Sequence, residues 1–589
     1  MGKVAAKRQK WESLTPDGQR KRLHAYKEKL LHCPCIRKFL EHGTIDGLRA
    51  EINAKLVTED GTEVGRLFVR DGKCQVEKSL RKIVEKQKKR TNTRLKWQRD
   101  RAMLVLRYKE EGHISDGAFQ PLTTLMDGPS ISYLNSLKKE VDEWMAERVT
   151  ISSNDRNAII VDNPEEVVLM LVRALAKRSQ LSDQEVVHVK ISGDGARMGW
   201  FTQTGHTFVT VHVLNDIMHE ENVFVIAQSS APESDLSVLP YLLGPAQRVY
   251  DRLHNQTHAV DGVPYKFMVW FGADLKFATL SLGLEVAPGH GENAQCCLYC
   301  ACSKKERYPL VLSTDRVLRS IEKMQAGPAE ALGIKRTPAL VIDSKQTVMD
   351  LMHCVLRMGD QDMDFLWKLA DNNDRSNQFV LEMTRIVHSF KVWKSKKTGA
   401  VELSSLTFKQ MRSFYELFDA TAVFTNKEAA LEFNTYLRDF DLLFDILLNT
   451  ETDWTEEEIC KVEKNIRKLM EKRVQMLGTT IRKGRKRQVG GQSVIAVELE
   501  KFKIIGWYCH LLAEHLGDTL RHLMQYGLTL HDFLQQVIEH TMSRKKADFH
   551  QTSKGGGRAS MDKPMDLRAL IQSEKYELRR LFHANQTDK

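Results

Sequence analysis

Residues 186–195 read VVHVKISGDG, and this stretch decides the fold. Val187, Val189 and Ile191 alternate with His188, Lys190 and Ser192, the period of two that marks a β-strand. The β-branched composition predicts a strand over Val187–Ser192, ended by Gly193-Asp194-Gly195. Downstream, FVTVHVL over Phe208–Leu214 and the segment Val223–Ala227 predict a second and a third strand. A helical stretch follows over about Leu239–Asn255. Then YKFMVWFG, Tyr265–Gly272, predicts a fourth strand that runs into Ala273-Asp274-Leu275-Lys276.

Three consecutive strands, a helix and a further strand is the order of an RNase H-like sheet, in which an antiparallel meander leads through a helix to the next strand. In such a sheet a first metal-holding acid stands at the end of the first strand and a second just past the fourth. Asp194 and Asp274 occupy those two places. Phosphodiester chemistry needs an activated oxygen nucleophile and a stabilised leaving oxygen, and two divalent ions roughly 4 Å apart serve both needs. Mg²⁺ takes hard oxygen ligands, so several carboxylates must converge. The glycines on either side of Asp194 permit close backbone approach. An Asp-Gly pair is also ordinary turn chemistry, and it is the strand order around the two aspartates that favours the metal-holding reading.

The chain has 589 residues, enough for several domains or for one with large insertions. Hydrophobic residues make up 42% and charged residues 28%, which supports a packed core and argues against wholesale disorder. The formal net charge of +11 suits a polyanionic partner. No apolar run is long enough to span a membrane; even Phe440–Leu448 is broken by Asp441 and Asp445. The start, Met1-Gly2-Lys3-Val4-Ala5-Ala6, lacks the apolar core of a signal peptide and the Ser or Thr that myristoylation favours. The ten cysteines are thinly spread, which predicts a reducing compartment without disulfides. Phosphate-loop and Gly-x-Ser-x-Gly motifs are absent, and the bare Gly289-x-Gly291 carries little weight.

Outward from the strands, residues 1–110 are expected to form a basic helical N-terminal region that binds DNA or dimerises. From Lys78 to Arg101 it holds eleven basic residues against Glu85 and Asp100, which is either a solvated helix face or a phosphate contact. Residues 111–180 form a small helical segment before the core. In it, Ile114–Trp144 predicts short helices around Asp127-Gly128-Pro129, a weak helix-turn-helix pattern. Residues 181–310 hold the first part of the core and a Cys-x-x-Cys, and 311–525 an all-helical insertion. Its periodicity predicts helices over Val348–Leu369, Phe379–Trp393, Glu428–Leu448, Glu456–Leu477 and Val497–Gln525. Between them, Ile481–Gly491 carries five basic residues, Arg482, Lys483, Arg485, Lys486 and Arg487. That loop suits a nuclear localisation signal, a DNA contact or an exposed linker. Residues 526–560 would close the core with a helix, and 561–589 form a helical tail.

Cys297 and Cys300 have zinc-knuckle spacing, but only half a site is local. His510 and His515 are separated by four residues, within the range of zinc-finger pairs. Five positions apart on a helix point about 140° apart, so one histidine should stand near a helix end. Cys296 and Cys302 offer other ligand sets, and a redox dithiol or plain buried cysteines remain open. His32 and Cys33-Pro34-Cys35 have the wrong spacing for a knuckle and are read as structural.

Together, ISGDG (191–195), FGADLK (271–276), Cys297-x-x-Cys300, LMHCVLRMGD (351–360), His510-x4-His515 and LQQVIEH (534–540) follow in the order of one transposase group. Over about residues 110–560 the chain resembles the Transib transposases and the related catalytic subunit of the V(D)J recombinase. The resemblance implies an α/β RNase H-like core with a mixed sheet and a large all-helical insertion. It implies Glu539 as a third, helix-borne acid beside Asp194 and Asp274, holding two Mg²⁺ or Mn²⁺ ions. It also implies one structural Zn²⁺ held jointly by Cys297, Cys300, His510 and His515. The family often carries Asn three residues after this glutamate, where this chain has Met542. The RING-type module upstream in the vertebrate recombinase has no counterpart here.

The function expected from this resemblance is a DDE-type DNA recombinase, cutting and joining double-stranded DNA at transposon ends. It would act in the nucleus as a homodimer, with room for an accessory subunit. Lys276, Arg544, Lys545 and Arg482–Arg487 with Lys546 are the candidate DNA contacts. The rivals are a catalytically silent DNA-binding protein of the same fold and an RNase H-like nuclease.

Overall fold

The computed structural model describes residues 67–70, 73–76, 99, 101–109, 119–120, 129–154, 158–178, 181, 186–197, 205–214, 222–284, 295–303, 317–326, 333–396, 399–450, 454–481, 506–541, 543 and 567–586. The chain divides into two units, one of Met1–Glu147 with Leu578–His583 and one of Arg148–Glu577 with Ala584–Lys589. No described helix is long and apolar enough to cross a membrane.

In the first unit, β1 (Leu67–Arg70) and β2 (Lys73–Val76) form an antiparallel hairpin. Helix α1 (Ile131–Ala146) is capped by Ser130, whose side chain accepts from the Tyr133 amide. Leu134 and Leu137 on α1 pack with Ala102 and Leu106. Of the expected helix-turn-helix over Ile114–Trp144, the described residues are the helical pair 119–120 and the segment from 129, which holds most of α1. Arg579 pairs with Asp142 at 2.8 Å, and Phe582 lies edge-on to Trp144. Most of the basic N-terminal region, with Cys33 and Cys35, lies outside the described residues.

The second unit is built on a seven-stranded mixed sheet. Its strands are β3 (Ile151–Ser153), β4 (Ala158–Val161), β5 (Val186–Arg197), β6 (Gly205–Leu214), β7 (Val223–Ser229), β8 (Thr257–Val260) and β9 (Val263–Phe271). Their order is β3-β4-β7-β6-β5-β9-β8. β5, β6 and β7 are an antiparallel meander, whereas β9 runs parallel to β5, with Val187 beside Phe267 and Ile191 beside Phe271. The four strands expected from the sequence are all present, but one boundary is corrected: β5 does not end at Gly193-Asp194-Gly195 and runs through it to Arg197, because β6 continues to pair with it, Asp194 beside Phe208 and Ala196 beside His206. β3, β4 and β8 are additions at the two edges, too short to show a period.

β5 is buried on both faces, as a strand with a parallel neighbour usually is. Val187, Val189 and Ile191 lie on the face shared with Phe267, Val269 and Phe271, and all six are fully buried. Helices α2 (Pro164–Lys177) and α3 (Leu239–Leu253) pack with the sheet and with one another. α2 opens on Pro164 with Glu165 and Glu166 in its first turn, which suits the fixed proline φ and the positive helix start. The opposite face carries His188, Lys190, Ser192 and Asp194, aligned with Leu214, His212, Thr210 and Phe208 of β6. This polar face is covered by C-terminal chain. Ile538 and Leu570 join Ile159, Phe208 and Val225 in one buried cluster, and Gln228 donates to Glu574 at 2.9 Å.

After β9 come α4 (Leu275–Ser281) and then the helical part: α5 (Leu351–Asn372), α6 (Ser376–Ile386), α7 (Phe408–Leu417), α8 (Lys427–Leu448), α9 (Glu456–Ile481) and α10 (Trp507–Met524). Phe379, Phe414, Phe433 and Phe440 form its aromatic core. Asp362 is fully buried there, held by Arg473 at 2.5 Å and by the Tyr415 and Tyr436 hydroxyls at 3.0 Å each. One expected helix is corrected. The segment predicted to run to Trp393 stops at Ile386, and Val392–Lys394 pairs with Val401–Leu403 as a hairpin. Val387 leaves the helix with an extended backbone, and the β-branched Val392 and aromatic Trp393 suit the strand that follows. The stretch 497–505 at the front of the last expected helix lies outside the described residues.

Candidate functional site

Two clusters of titratable side chains stand out in the second unit. The first lies where β5 and β9 end. Asp194 is on the last third of β5, and its Oδ1 accepts the Gly195 amide at 2.7 Å. The sheet needs small residues beside it. A Cβ at Gly193 would meet the Phe277 ring at 2.1 Å, and one at Gly195 the Glu233 carboxyl at 2.9 Å. Asp274 is the N-cap of α4, where its Oδ1 accepts the Phe277 amide at 2.6 Å. The parallel pairing of β5 with β9 therefore delivers the two aspartates to one end of the sheet.

Burial pushes the Asp194 carboxyl up to about 7, and the negative charges of Asp274 and Glu233 add to the rise. Glu233 is also raised, first by burial; Lys276 opposes this through an ion pair at 2.5 Å. His353, in the first turn of α5, faces the same group. Burial opposes its charge, but Asp350, Asp274 and Asp194 outweigh that and push it up to about 9. Its Nδ1 bonds the Asp350 carboxylate, and Asp350 caps α5 by accepting the Met352 amide at 3.0 Å. Burial, with neighbouring negative charge added to it, thus raises both Asp194 and Glu233. Glu233, Asp350 and His353 were not singled out as functional residues from the sequence, although His353 lies inside the LMHCVLRMGD motif.

Glu539 stands on the helical segment 536–541, exposed, and its amide bonds the Gln535 carbonyl at 2.9 Å. Gln535 is buried, and its side chain donates to the Gly272 carbonyl at 2.6 Å, two residues before Asp274. Gln535 and Glu539 are one turn apart, so they share a face. Even so, the carboxyl oxygens of Asp194, Asp274 and Glu539 do not form a tight ligand set among the described residues.

The second cluster does. Cys297, Cys300, His510 and His515 are all buried, and one ligand atom from each lies within 4.8 Å of the others. Cys300 Sγ is 3.5 Å from His510 Nε2 and 3.3 Å from His515 Nε2. A tetrahedral zinc with Zn–S near 2.3 Å and Zn–N near 2.05 Å separates its sulfur and nitrogen ligands by about 3.6 Å, so the donor set and its spacing fit that ion. Both histidines are on α10, His510 in its first turn. The Arg319 guanidinium donates to the Cys297 and Cys300 carbonyls and braces the loop. The hydrogen bond from Cys297, with further ones from Cys302 and the two imidazoles, holds the Cys300 thiol below its usual range, while burial pushes Cys297 up. The Cys302 thiol is directed to the Ser303 carbonyl, and neither Cys296 nor Cys302 belongs to the four-atom set. This buried cluster can bind a zinc ion.

Of the expected DNA contacts, Lys276 is described and is engaged by Glu233. Arg482, Lys483, Arg485, Lys486, Arg487, Arg544, Lys545 and Lys546 lie outside the described residues, as does Met542. Compared with known proteins, the chain matches no family model and no curated sequence.

Proposed function

We propose that this chain is a metal-dependent DNA recombinase of the DDE transposase type, built on an RNase H-like core. The observation that carries the reading is the convergence of Asp194 and Asp274 beyond the shared end of a parallel strand pair flanked by a meander, where burial and then the charge of Asp274 raise the Asp194 carboxyl. The order β7-β6-β5-β9 supports the core assignment, and Gln535 on Gly272 supports Glu539 as the third acid. Asp194, Asp274 and Glu539 would hold two Mg²⁺ or Mn²⁺ ions. Such ions, when bound, activate an oxygen nucleophile and stabilise the leaving oxygen. The chain's own residues do the rest. The α4 cap fixes the Asp274 carboxylate, and the protonated His353 offsets part of the carboxylate repulsion. The four-ligand Zn²⁺ would be structural and would pin α10 to the loop at 297–300. Double-stranded DNA is the proposed substrate, the nucleus the place of action, and a homodimer on paired ends the working form.

A second reading, a DNA-binding protein of this fold without catalysis, is favoured by the exposed Glu539 that stands outside any tight ligand set. One experiment separates the two. Purified protein is given Mg²⁺ or Mn²⁺ and a library of terminal-repeat DNA, alongside Asp274→Asn. Asparagine keeps the N-cap and removes the charge. The recombinase reading expects cutting that falls at least 100-fold in the variant. Tight DNA binding without metal-dependent cutting in either form would establish the silent protein instead.

A further inference from the structure

Lys190 is a cation with no solvent exposure, in the middle of β5 on its polar face. A lysine is almost never fully buried unless its charge is matched. Its Nζ donates to the Leu534 carbonyl at 2.9 Å and stands 5.9 Å from the centre of the Phe533 ring. Burial lowers its pKa to about 8, and the negative charges of Asp350 and Asp532 oppose that fall. Across the strand pair it faces His212, whose two ring nitrogens have no hydrogen-bond partner among the described residues. Next to it, the Gly272 carbonyl accepts from Ser192 Oγ at 2.5 Å and from Gln535 Nε2 at 2.6 Å. The Lys190 stem runs beside Gly272, its Cε in ordinary contact distance, 3.6 Å, of where a Cβ there would stand.

Two chain segments therefore meet on this one side chain, β5 and the turn at Phe533–Leu534, and the charge of Asp350 acts on it. β5 carries Asp194 four residues further on. Asp350 begins the helix that carries His353. Leu534 and Gln535 begin the turn that carries Glu539.

We infer that Lys190, with Gln535, is a positioning residue that sets the distance between the Glu539 segment and the two aspartates, and so tunes divalent-metal affinity. The inference rests on the recombinase reading of the acids. Lys190 acts from behind the acids: its ammonium holds the Leu534 carbonyl, and Gln535 ties the same turn to Gly272, between β9 and Asp274. Groups that orient metal ligands from behind in this way typically set affinity by 10–100-fold.

The test uses full-length protein and Mn²⁺ as the probe, with binding followed by electron paramagnetic resonance and cutting followed against Mg²⁺ concentration. The variants are Lys190→Met, which keeps the length of the stem without the charge, and Gln535→Met. The expected result is a Mn²⁺ dissociation constant raised about 10–100-fold, with kcat restored to within about threefold at saturating metal and zinc content unchanged. A purely structural role would lower the melting temperature or kcat and leave the dissociation constant alone. If Lys190→Met does not fold, Gln535→Met decides. Wild type that binds Mn²⁺ and variants that bind it within twofold overturn this inference alone. Wild type that binds no Mn²⁺, and behaves as Asp274→Asn does, overturns the recombinase reading and this inference with it.

Discussion

Replacing Cys300 with serine should release the metal from the Cys/His cluster and loosen the attachment between the loop at 297–300 and α10. Cys300 is the choice because its sulfur contacts both imidazoles, at 3.5 and 3.3 Å. A metal on these four side chains cross-links positions about 210 residues apart in the chain. Treated as a covalent link, closure of a loop of that length removes unfolded-state entropy equivalent to about 5 kcal/mol. At roughly 2–4 °C per kcal/mol for a large domain, the melting temperature should fall by about 10–20 °C, with chelator giving a similar fall in the wild type. The assay is elemental analysis of zinc per chain together with calorimetric melting, each with and without added Zn²⁺. Cys302→Ser is the control, because its thiol is directed to the Ser303 carbonyl and lies outside the set. One zinc per chain in the wild type and in Cys302→Ser, with none in Cys300→Ser, supports the reasoning. Equal zinc in all three forms, or a wild type that takes up none, refutes it.

Acid should destabilise the fold through the polar face of the sheet. Burial lowers His188 to about 4 and His212 to about 3, so both are neutral in the fold while the unfolded chain takes up protons below about 6.5. The stabilisation is present above that pH and is lost as pH falls from 6.5 toward 4 and 3, by about 2 kcal/mol per histidine at pH 5. Urea unfolding at pH 7.5 and pH 5 should show it, and a His188→Gln/His212→Leu form with an unchanged pH slope would count against it. Gly193→Ala forces a methyl against the buried Phe277 ring, expected to cost about 1–3 kcal/mol in denaturant unfolding and to be relieved by Phe277→Leu. Arg473→Met leaves Asp362 buried without its cation and should cost about 3–5 kcal/mol, with part recovered in the Asp362→Asn double variant. A single-variant loss below about 1 kcal/mol would show that the pair is dispensable.

Much of the sheet was legible because β5, β6, β7 and β9 are long and β-branched, and because Gly-Ala-Asp marks where β9 ends; Gly-Asp-Gly was misleading as a stop, since β6 keeps pairing with β5 beyond it. β3 and β8 were missed because three- and four-residue strands carry no period, and β8 is bonded to only one neighbour. The helix over 379–393 was overextended because apolar residues at Val387, Phe390 and Trp393 continue a helical spacing through a backbone that has already left the helix. Of the candidate positions, the four Cys/His residues were readable from spacing and resemblance, whereas Asp194, expected past a strand end, stands within β5. Glu233 and Asp350 carry no such mark. Glu233 lies in a loop after β7, and Asp350 is a helix cap whose second role arises only when α5 is laid beside Asp194. That is tertiary information, absent from any local pattern.

The polar face of β5 also has a consequence for how the chain is made. Its covering residues arrive late. Leu534, which receives Lys190, is 344 residues downstream, and Glu574, which receives Gln228, is 346 downstream of its partner. At about 5–20 residues per second, a ribosome needs roughly 20–70 s between the two ends of such a contact. Through that interval the apolar side of the sheet can close on α2 and α3, while Lys190, His212 and both aspartates stay hydrated. His510, His515 and Glu539 are not yet synthesised. Until they are, the polar side of the sheet stays open to water, and the Cys/His cluster has only its two cysteines.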